Sequence, residues 1–528
     1  MNIEINSEKI NSCRVIASEK KLKIIEGEII VPDIKPDILS LSTIDAEVYL
    51  TKKNINEGSV DVEGVLDVCA IYVSDDETGS LKSLNNVFNF QDTLMIADVN
   101  LDSNVKVKLS KSAIEYKIIN GRKIGIKVPI TIDVVVSNNT ETLVAKDVVD
   151  DRNIQTLKER HTINMMSCCK EQEVELNENV TLDDNNLPIG EILKATMKIE
   201  NPEYKISYNK ILVKADALIK IIYTADNDAM NVEIFEKTLP IMGFIESEGM
   251  NTDNDIKLEF DIKSFVIRPI YQDLKSMSFG VESEIIARIC SYQKEEIELL
   301  VDVYNPETCL KCNFEKIELN QNIINKIECL ELKQDLPVQD LENVRVLTIS
   351  ARPTVINKNV LDEKIVLDGS IELETLFFNR ITNTIESKKV DLPIVQTLRV
   401  EELKANMKPE IDVEIGNITY LKTGANSIEV RIPVCVRVEV SKSEYINGIT
   451  SIESVEEELP NLPSLAIYYV KEGDSLWKIA KKYRTTVEDI MRYNELNDDK
   501  IYPGDQLLIP KRTKCKSIEL LWYEWAII

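Results

Sequence analysis

The sequence is poor in the residues that most enzymes use for catalysis. Its 528 residues include a single histidine, His161, which stands close to Cys168 and Cys169. A Cys–His hydrolase needs a cysteine at the start of a helix and a histidine that converges on it from another element. No such arrangement is indicated, and no pair of carboxylates stands out as acid and base. We therefore expect His161 to be a solvated loop residue and the chain not to be an enzyme.

Motifs for nucleotides and metals are equally scarce. No GxxxxGK[ST] loop and no GxGxxG turn after a strand occurs, so nothing supports nucleotide binding. Cys309 and Cys312 form a lone CxxC, which is half of a zinc site, and Cys329 would add a third ligand only if the chain folded back. Two ordinary thiols are the favoured interpretation, and a transient disulfide is the alternative. We expect no metal and no cofactor.

Positive charge is in short supply. The 63 Lys and Arg residues face 90 Asp and Glu residues, which gives a formal net charge of −27. Such a chain has no basic surface with which to replace the counterions of phosphates. This argues against nucleic acid and anionic membranes, and it favours solubility or a basic partner.

Long apolar runs are missing as well. The first thirty residues mix charged and apolar side chains, so they do not form a secretory signal. No stretch approaches the roughly 18 apolar residues of a membrane-spanning helix. We therefore expect a cytosolic protein whose ten scattered cysteines are reduced thiols, many of them buried. Cys69 and Cys435 lie within strand patterns, which supports this expectation.

The sequence does contain a threefold internal repeat. One landmark occurs as VEGVLDVCAIY, VKADALIKIIY and LDGSIELETLF, and a second follows each copy at a matching offset. Two landmarks with matching offsets make chance similarity a poor explanation. We predict three related domains, at residues 24–150, 172–305 and 334–458.

Each repeat alternates Val, Ile and Thr with polar residues, which predicts half-buried strands. Asn120 and Gly121 stand between two such segments and predict a hairpin. Because a sheet must cover its apolar face, the fold class is predicted to be mainly β, with tandem β-sandwich-like domains. We interpret residues 1–23 as an N-terminal extension and residues 151–171 and 306–333 as connectors, the last of them partly helical.

Residues 466–512 follow a different pattern, after a Pro-containing hinge at 459–466. A short strand, two helices and a second strand are predicted, with Ser475 or Asp474 capping the first helix and Thr486 the second. The phrases KEGDSLWKIAKKY and IYPGDQLLIP, in this order and spacing, resemble the LysM family. That resemblance implies a small βααβ domain that binds N-acetylglucosamine glycans.

The resemblance also implies a ligand groove between the first strand–helix loop and the last helix–strand loop. Its predicted residues are Gly473, Asp474, Ser475 and Leu476 on one side, and Asn497, Asp498, Ile501, Tyr502, Pro503 and Gly504 on the other. The alternative is that the loop residues are only turn formers. Five residues are predicted to form the core: Leu476, Ile479, Ala480, Ile490 and Leu508. Trp477 is either a surface anchor or a core residue.

The last segment, residues 513–528, is strongly apolar and too short to span a bilayer. It ends in ELLWYEWAII. An apolar end of this kind is typical of a docking surface or of a segment that packs onto its own domain.

Taken as a whole, the chain resembles the SipL-like spore-envelope morphogenetic proteins of clostridia, whose repeats are called SPOCS domains. The phrase IIVPDIKPDILS at Ile29–Ser40 and the strand landmarks carry this resemblance, together with the LysM pattern. It implies a non-enzymatic scaffold of spore coat assembly, located in the mother-cell cytoplasm at the forespore surface.

The partners that the resemblance implies are the coat basal-layer ATPase SpoIVA, bound by the LysM domain, and other coat proteins, bound by the repeats. Linked weak sites of this kind gain avidity. The alternative is a protein of the spore cortex or cell wall that binds peptidoglycan or N-acetylglucosamine. A wall hydrolase is a third possibility, against which the single histidine argues.

Overall fold

The computed structural model describes residues 2–77, 79–149, 153–227, 231–246, 254–272, 275–405, 407, 409–455 and 464–510. Across these residues the chain is mainly β, as predicted, with two short helices near its end. No helix among the described residues has the length and apolar character needed to cross a membrane. The predicted hinge falls largely outside the described residues, and the apolar segment 513–528 does so entirely.

The first repeat is a sandwich of two antiparallel sheets. The first strand, β1 (Asn2–Ile3), pairs with the long strand Ser427–Val455 of the third repeat. The strands of the first repeat are β2 (Ile5–Ile30), β3 (Ile38–Asn56), β4 (Ser59–Ser74), β5 (Leu81–Met95), β6 (Asn104–Lys111), β7 (Glu115–Asn120) and β8 (Lys123–Val148). β3, β4 and β5 form one sheet, and β2, β8, β6 and β7 form the other. Alternate residues of β4 and β8 share one buried cluster, which is why the Val/Ile alternation produces a sandwich. The hairpin predicted at Asn120–Gly121 joins β7 to β8 and is confirmed.

The second and third repeats follow the same plan. The second consists of β9 (Gln155–Thr181), β10 (Ile189–Ser207), β11 (Lys210–Ala225), β12 (Val232–Glu246), β13 (Asp255–Gln272) and β14 (Lys275–Tyr304). The third consists of β15 (Cys309–Pro337), β16 (Val344–Leu361), β17 (Lys364–Asn379), β18 (Thr384–Arg399), β19 (Glu410–Ile415), β20 (Thr419–Lys422) and β21 (Ser427–Val455). In each, a three-stranded meander faces a sheet built on one pair of very long strands.

The segments predicted to connect the repeats are strands. The supposed N-terminal extension lies mostly in β2, residues 155–171 open β9, and the stretch predicted to be helical lies in β15. The prediction of a helix within 306–333 is therefore wrong, and the boundaries drawn at 23, 171 and 333 fall inside strands. Local propensity gave the wrong structure for these segments because each one pairs along its length with a strand that is distant in sequence. The partner strands are β8, β14 and β21.

The cysteine prediction is also corrected. Cys169 faces Cys290 across β9 and β14, and Cys329 faces Cys435 across β15 and β21, and both pairs are disulfide-bonded. The paired residues lie directly opposite in register, with Cα atoms 4.2 and 4.0 Å apart. The prediction of reduced thiols is wrong for these four residues. Cys69 is a free thiol, and burial raises its pKa to about 12.

The three repeats are joined in a closed ring. Glu191 of β10 accepts a hydrogen bond from the backbone N–H of Ser83 in β5, at 3.0 Å, which links repeats one and two. Arg345 of β16 pairs with Glu233 of β12 at 3.0 Å and links repeats two and three. At the third junction, β18 of repeat three packs against β3 of repeat one. Corresponding residues of the three meanders, among them Ile71, Ile222 and Leu376, meet in one apolar cluster.

A buried carboxylate ties all three repeats together. Asp45 of β3 accepts from Lys111 of β6 at 2.8 Å, from Lys194 of β10 at 2.8 Å and from Arg352 of β16 at 3.2 Å. Only 9% of its side chain is exposed. Burial alone would raise the pKa of Asp45, but the charges of Lys194, Lys111 and Arg352 hold it well below its usual range.

The last elements form the small C-terminal domain. They are β22 (Leu465–Tyr469), α1 (Leu476–Tyr483), α2 (Val487–Tyr493) and β23 (Gln506–Pro510). The two strands pair antiparallel, and the order βααβ is the one predicted for the LysM resemblance.

We predict that Asp45→Asn lowers the free energy of unfolding by about 3 kcal/mol, because it removes the carboxylate that pairs with the buried Lys111 and Lys194. Chemical denaturation followed by circular dichroism measures this loss. Because the pKa of Asp45 is depressed, its ionised carboxylate stabilises the fold fully above a pH of about 4, where an unfolded aspartate is also ionised. This stabilisation is lost as the pH falls further towards the depressed pKa. The variant should lose less stability than the wild type over that acid range.

The matched control is Glu141→Gln, which neutralises the exposed pair between Lys9 and Glu141, whose side chains are 65% and 62% exposed. Its expected cost is under about 1 kcal/mol. Equal effects of the two substitutions would contradict the role assigned to Asp45.

Candidate binding site in the LysM domain

Both helices of the small domain begin where the sequence predicts. The Ser475 side chain accepts from the N–H of Lys478 at 3.3 Å, and the Thr486 side chain accepts from the N–H of Asp489 at 3.0 Å. These caps satisfy N–H groups that the first turn of a helix leaves unpaired. The structure selects Ser475 over Asp474 as the first cap.

Four of the five predicted core residues are buried: Leu476, Ile479, Ala480 and Ile490. The fifth, Leu508, is 37% exposed, and that prediction is wrong. Successive residues of a strand point to opposite faces, so β23 places its neighbours Leu507 and Ile509 in the core and turns Leu508 outward.

Backbone hydrogen bonds bring the two predicted groove loops together. The N–H of Val470 donates to the carbonyl of Asp505, and the N–H of Gly504 donates to the carbonyl of Val470, both at 2.9 Å. Val470 stands just before the first loop, so both loops leave the same end of the sheet. Gly473 and Gly504 have φ angles of 80° and 98°, which favour glycine.

The carboxylate of Asp474 organises the first loop. One of its oxygens accepts from the Tyr468 hydroxyl and from the backbone N–H of Lys471, each at 2.8 Å. The N–H of Lys471, followed by the hydroxyl of Tyr468, holds the pKa of Asp474 below its usual range. The hydrogen bond from its hydroxyl to Asp474 raises the pKa of Tyr468. Asp474 thus has a defined structural role besides the predicted role in binding.

The other predicted groove residues differ in how far they reach solvent. Leu476 is buried in the core, and Ile501 is half-buried against it. The remaining members of the second loop are exposed: Asn497, Asp498, Tyr502, Pro503 and Gly504. The carboxylates of Asp498 and Asp505 accept from nearby backbone N–H groups of that loop. Most of the groove prediction therefore falls on accessible loop residues, and their role in binding stays a prediction.

A second surface of this domain docks onto the end of repeat two. The ring of Trp477 meets that of Tyr304 edge to face at 4.9 Å, and the indole N–H donates to Asp302 at 2.8 Å. Lys481 pairs with the same carboxylate at 2.6 Å, and the Tyr304 hydroxyl donates to the carbonyl of Thr485 at 2.8 Å. Trp477 is therefore an anchor to the body of the protein.

The docking site also includes a thiol. Arg484, the C-terminal cap of α1, donates to the sulfur of Cys309 at 2.9 Å. Cys312, three residues further along β15, packs against an apolar cluster, and burial raises its pKa. Both cysteines are free thiols, and together they line a cavity of about 360 Å³ between the domains. Sequence reasoning missed this site because its body residues are distant in the sequence from the domain that they contact in space. These residues are Asp302, Tyr304 and Cys309.

His161 lies within β9 with only 10% of its side chain exposed, so the prediction of a solvated loop histidine is wrong. Within the described ranges, no three His, Cys, Asp or Glu side chains are grouped so that they could hold a metal ion.

Comparison with family models identifies the domains. The SipL, SPOCS domain model matches residues 37–119, 188–269 and 344–423, one match in each repeat, and the LysM domain model matches residues 468–510. The chain has the domain arrangement of a SipL-like protein, with three SPOCS domains followed by a LysM domain. Its matched domains are non-catalytic binding domains. Each SPOCS match begins at or just before a meander and ends in or next to the strands that follow it.

Curated relatives share only a small part of the chain. The uncharacterized protein YkzQ of Bacillus subtilis is 44% identical over 46 residues, which are 9% of this chain and 61% of YkzQ. The N-acetylmuramoyl-L-alanine amidase sle1 of Staphylococcus epidermidis is 32% identical over 90 residues, 15% of this chain and 28% of the amidase. The sle1 amidase of Staphylococcus aureus is 55% identical over 42 residues, 8% of this chain and 13% of the amidase.

The chain thus spans less than two thirds of the relatives that it matches, and the amidases match only its LysM portion. No solved structure matches the chain significantly.

We predict that Asp302→Ala loosens the attachment of the LysM domain to the body without unfolding the domain, because Asp302 holds both Trp477 and Lys481. Hydrogen–deuterium exchange should rise at least about threefold in peptides that cover 300–312 and 476–485. Exchange in the LysM strand 506–510 should not change.

The control is Asp489→Ala, which removes an ion pair with Arg492 within α2 itself. The anchoring role of Asp302 would be contradicted if Asp489→Ala removed protection in both interdomain peptides. It would also be contradicted if Asp302→Ala removed protection in neither of them.

Proposed function

We propose that this protein is a non-enzymatic scaffold of spore envelope assembly. Its LysM domain binds the coat basal-layer ATPase at the forespore surface, and its SPOCS repeats hold other coat proteins in the mother-cell cytoplasm. The observation that carries the proposal is the domain set, three SPOCS matches followed by one LysM match.

Two features of the structure support a binding role for the LysM loops. The domain contacts the body through Trp477, Lys481 and Arg484, and none of these belongs to the predicted groove. Exposed aromatic and polar groups of the second loop, Tyr502 and Asp498 among them, are left for a partner. Aromatic side chains of this kind are frequent anchors in protein interfaces.

The ring of repeats supports a scaffold. Three sandwiches joined by buried ion pairs and one apolar cluster present several related outer surfaces in a fixed arrangement. Several weak contacts on one rigid body add up to strong attachment.

The direct test of recruitment is a fluorescent fusion in sporulating cells, beside a version that lacks residues 464–528. We expect a shell around the forespore that the truncation abolishes. A diffuse signal, or labelling of the outer wall, would contradict the proposal.

A groove test uses the purified full chain and the purified coat ATPase. Asp474→Asn and Tyr502→Ala should each weaken binding at least about tenfold, which is ~1.4 kcal/mol, as measured by calorimetry. Tyr493→Ala is the matched control, since Tyr493 is similarly exposed but lies on α2. Unchanged binding by both groove variants, with the domain still folded, would refute the groove assignment.

The second candidate is a binder of peptidoglycan or N-acetylglucosamine in the cortex or wall. The relatives that match the LysM domain include amidases whose name refers to an N-acetylmuramoyl group. The two disulfides also favour an oxidising location, because such bonds are rare in reducing cytosol.

This candidate makes a distinct prediction for the same protein. Chitohexaose should bind the full chain with a dissociation constant in the micromolar range, and Tyr502→Ala should abolish that binding. Undetectable binding at millimolar sugar would remove glycan as a ligand.

A further inference from the structure

The outer face of the LysM sheet is apolar and exposed. Leu465, Ile467 and Tyr469 alternate along β22, and their side chains are 52%, 57% and 62% exposed. Leu508 of β23 lies directly opposite Ile467 and is 37% exposed. The other face of the same sheet packs on the two helices, so these residues cannot reach the domain's own core.

A contiguous apolar sheet face is a docking surface rather than a chance exposure. A two-stranded sheet is only marginally stable by itself and gains from cover on both faces. The residues of this outer face belong neither to the predicted groove nor to the surface that docks onto repeat two. The outer face is therefore a separate surface.

The position where the described chain stops indicates what covers this face. β23 ends at Pro510, which pairs with Leu465 at one end of the exposed row. The next residues, KRTKCK at 511–516, are polar and basic, and they lead into SIELLWYEWAII at 517–528. This stretch lies within the segment 513–528 that sequence analysis marks as apolar and that no family match covers.

The segment is long enough to return over the sheet. The six residues KRTKCK span up to about 20 Å when extended, and β22 with its five residues is about 17 Å long. The apolar stretch that follows can therefore lie along the whole exposed row.

Tethering favours this occupant over a second copy of the chain. A segment joined by a short linker has an effective concentration in the millimolar range, far above that of a free partner. Its apolar side chains match the chemistry of the face, and each one buried there contributes to stability.

We propose that residues 517–528 dock onto the outer face of the LysM sheet, formed by Leu465, Ile467, Tyr469 and Leu508, and complete the domain as a third layer. The inference does not depend on the proposed function. It assigns the apolar segment to the protein's own LysM domain and leaves the groove free.

The test is hydrogen–deuterium exchange with mass spectrometry on the full chain. Amides of residues 517–528 should exchange at least about tenfold more slowly than in the same sequence as a free peptide. Tyr469→Glu places a charge on the face and should bring them to the free-peptide rate. Tyr493→Glu, the same substitution at a similarly exposed tyrosine on α2, should leave the protection in place.

Three results would overturn the proposal. One is free-peptide exchange of residues 517–528 in the wild type, and another is protection that survives both Tyr469→Glu and Leu508→Glu. The third is protection that falls on tenfold dilution or that arises only when the coat ATPase is added, since these outcomes assign the face to a second copy or to the partner. Peptides from α1 report whether each variant keeps the domain folded, and Leu508→Glu replaces Tyr469→Glu if the latter unfolds it.

Discussion

The arrangement of the repeats depends on one buried carboxylate. Asp45 stands on an edge strand of the first repeat and holds cations from an edge strand of each of the other two, Lys194 and Arg352. Edge strands offer unpaired backbone groups that invite aggregation unless they are covered. Here the repeats cover one another's edges, and the ion pairs fix which edge meets which. A buried charge that is fully paired only in one arrangement penalises every other arrangement.

A second set of ion pairs makes the similar repeats non-interchangeable. Lys106 of β6 pairs with Glu259 of β13 at 2.9 Å and with Glu410 of β19 at 3.3 Å. The three residues occupy corresponding positions of the repeats, yet one is a cation and two are anions. A ring of three identical copies would place three like charges together, whereas this ring sets one lysine beside two glutamates. Divergence at a few inward positions therefore turns a threefold repeat into one defined assembly.

Sequence patterns predicted the parts of this structure that are local. Alternating Val and Ile located the strands, Asn120–Gly121 located a hairpin, and Ser475 and Thr486 located two helix starts. Most of the errors share one physical cause, which is pairing over a long separation. The segment around Ile323 was predicted to be helical, yet it pairs with β21 more than a hundred residues away. Periodicity reports the face that a residue presents but not the strand that lies beside it.

The same limit explains why the attachment of the LysM domain was not foreseen. Tyr304 ends the last strand of the second repeat, yet it belongs to the apolar cluster of the LysM domain. The domain therefore takes part of its core from the body, and α1 lies in a fixed orientation through Trp477 and Lys481. A partner held by the groove loops would then be held at a set angle to the ring of repeats. Rigid linkage lowers the entropy lost when a second site on the same partner is engaged, so under the proposed function the anchor would strengthen multivalent attachment without adding a contact to it.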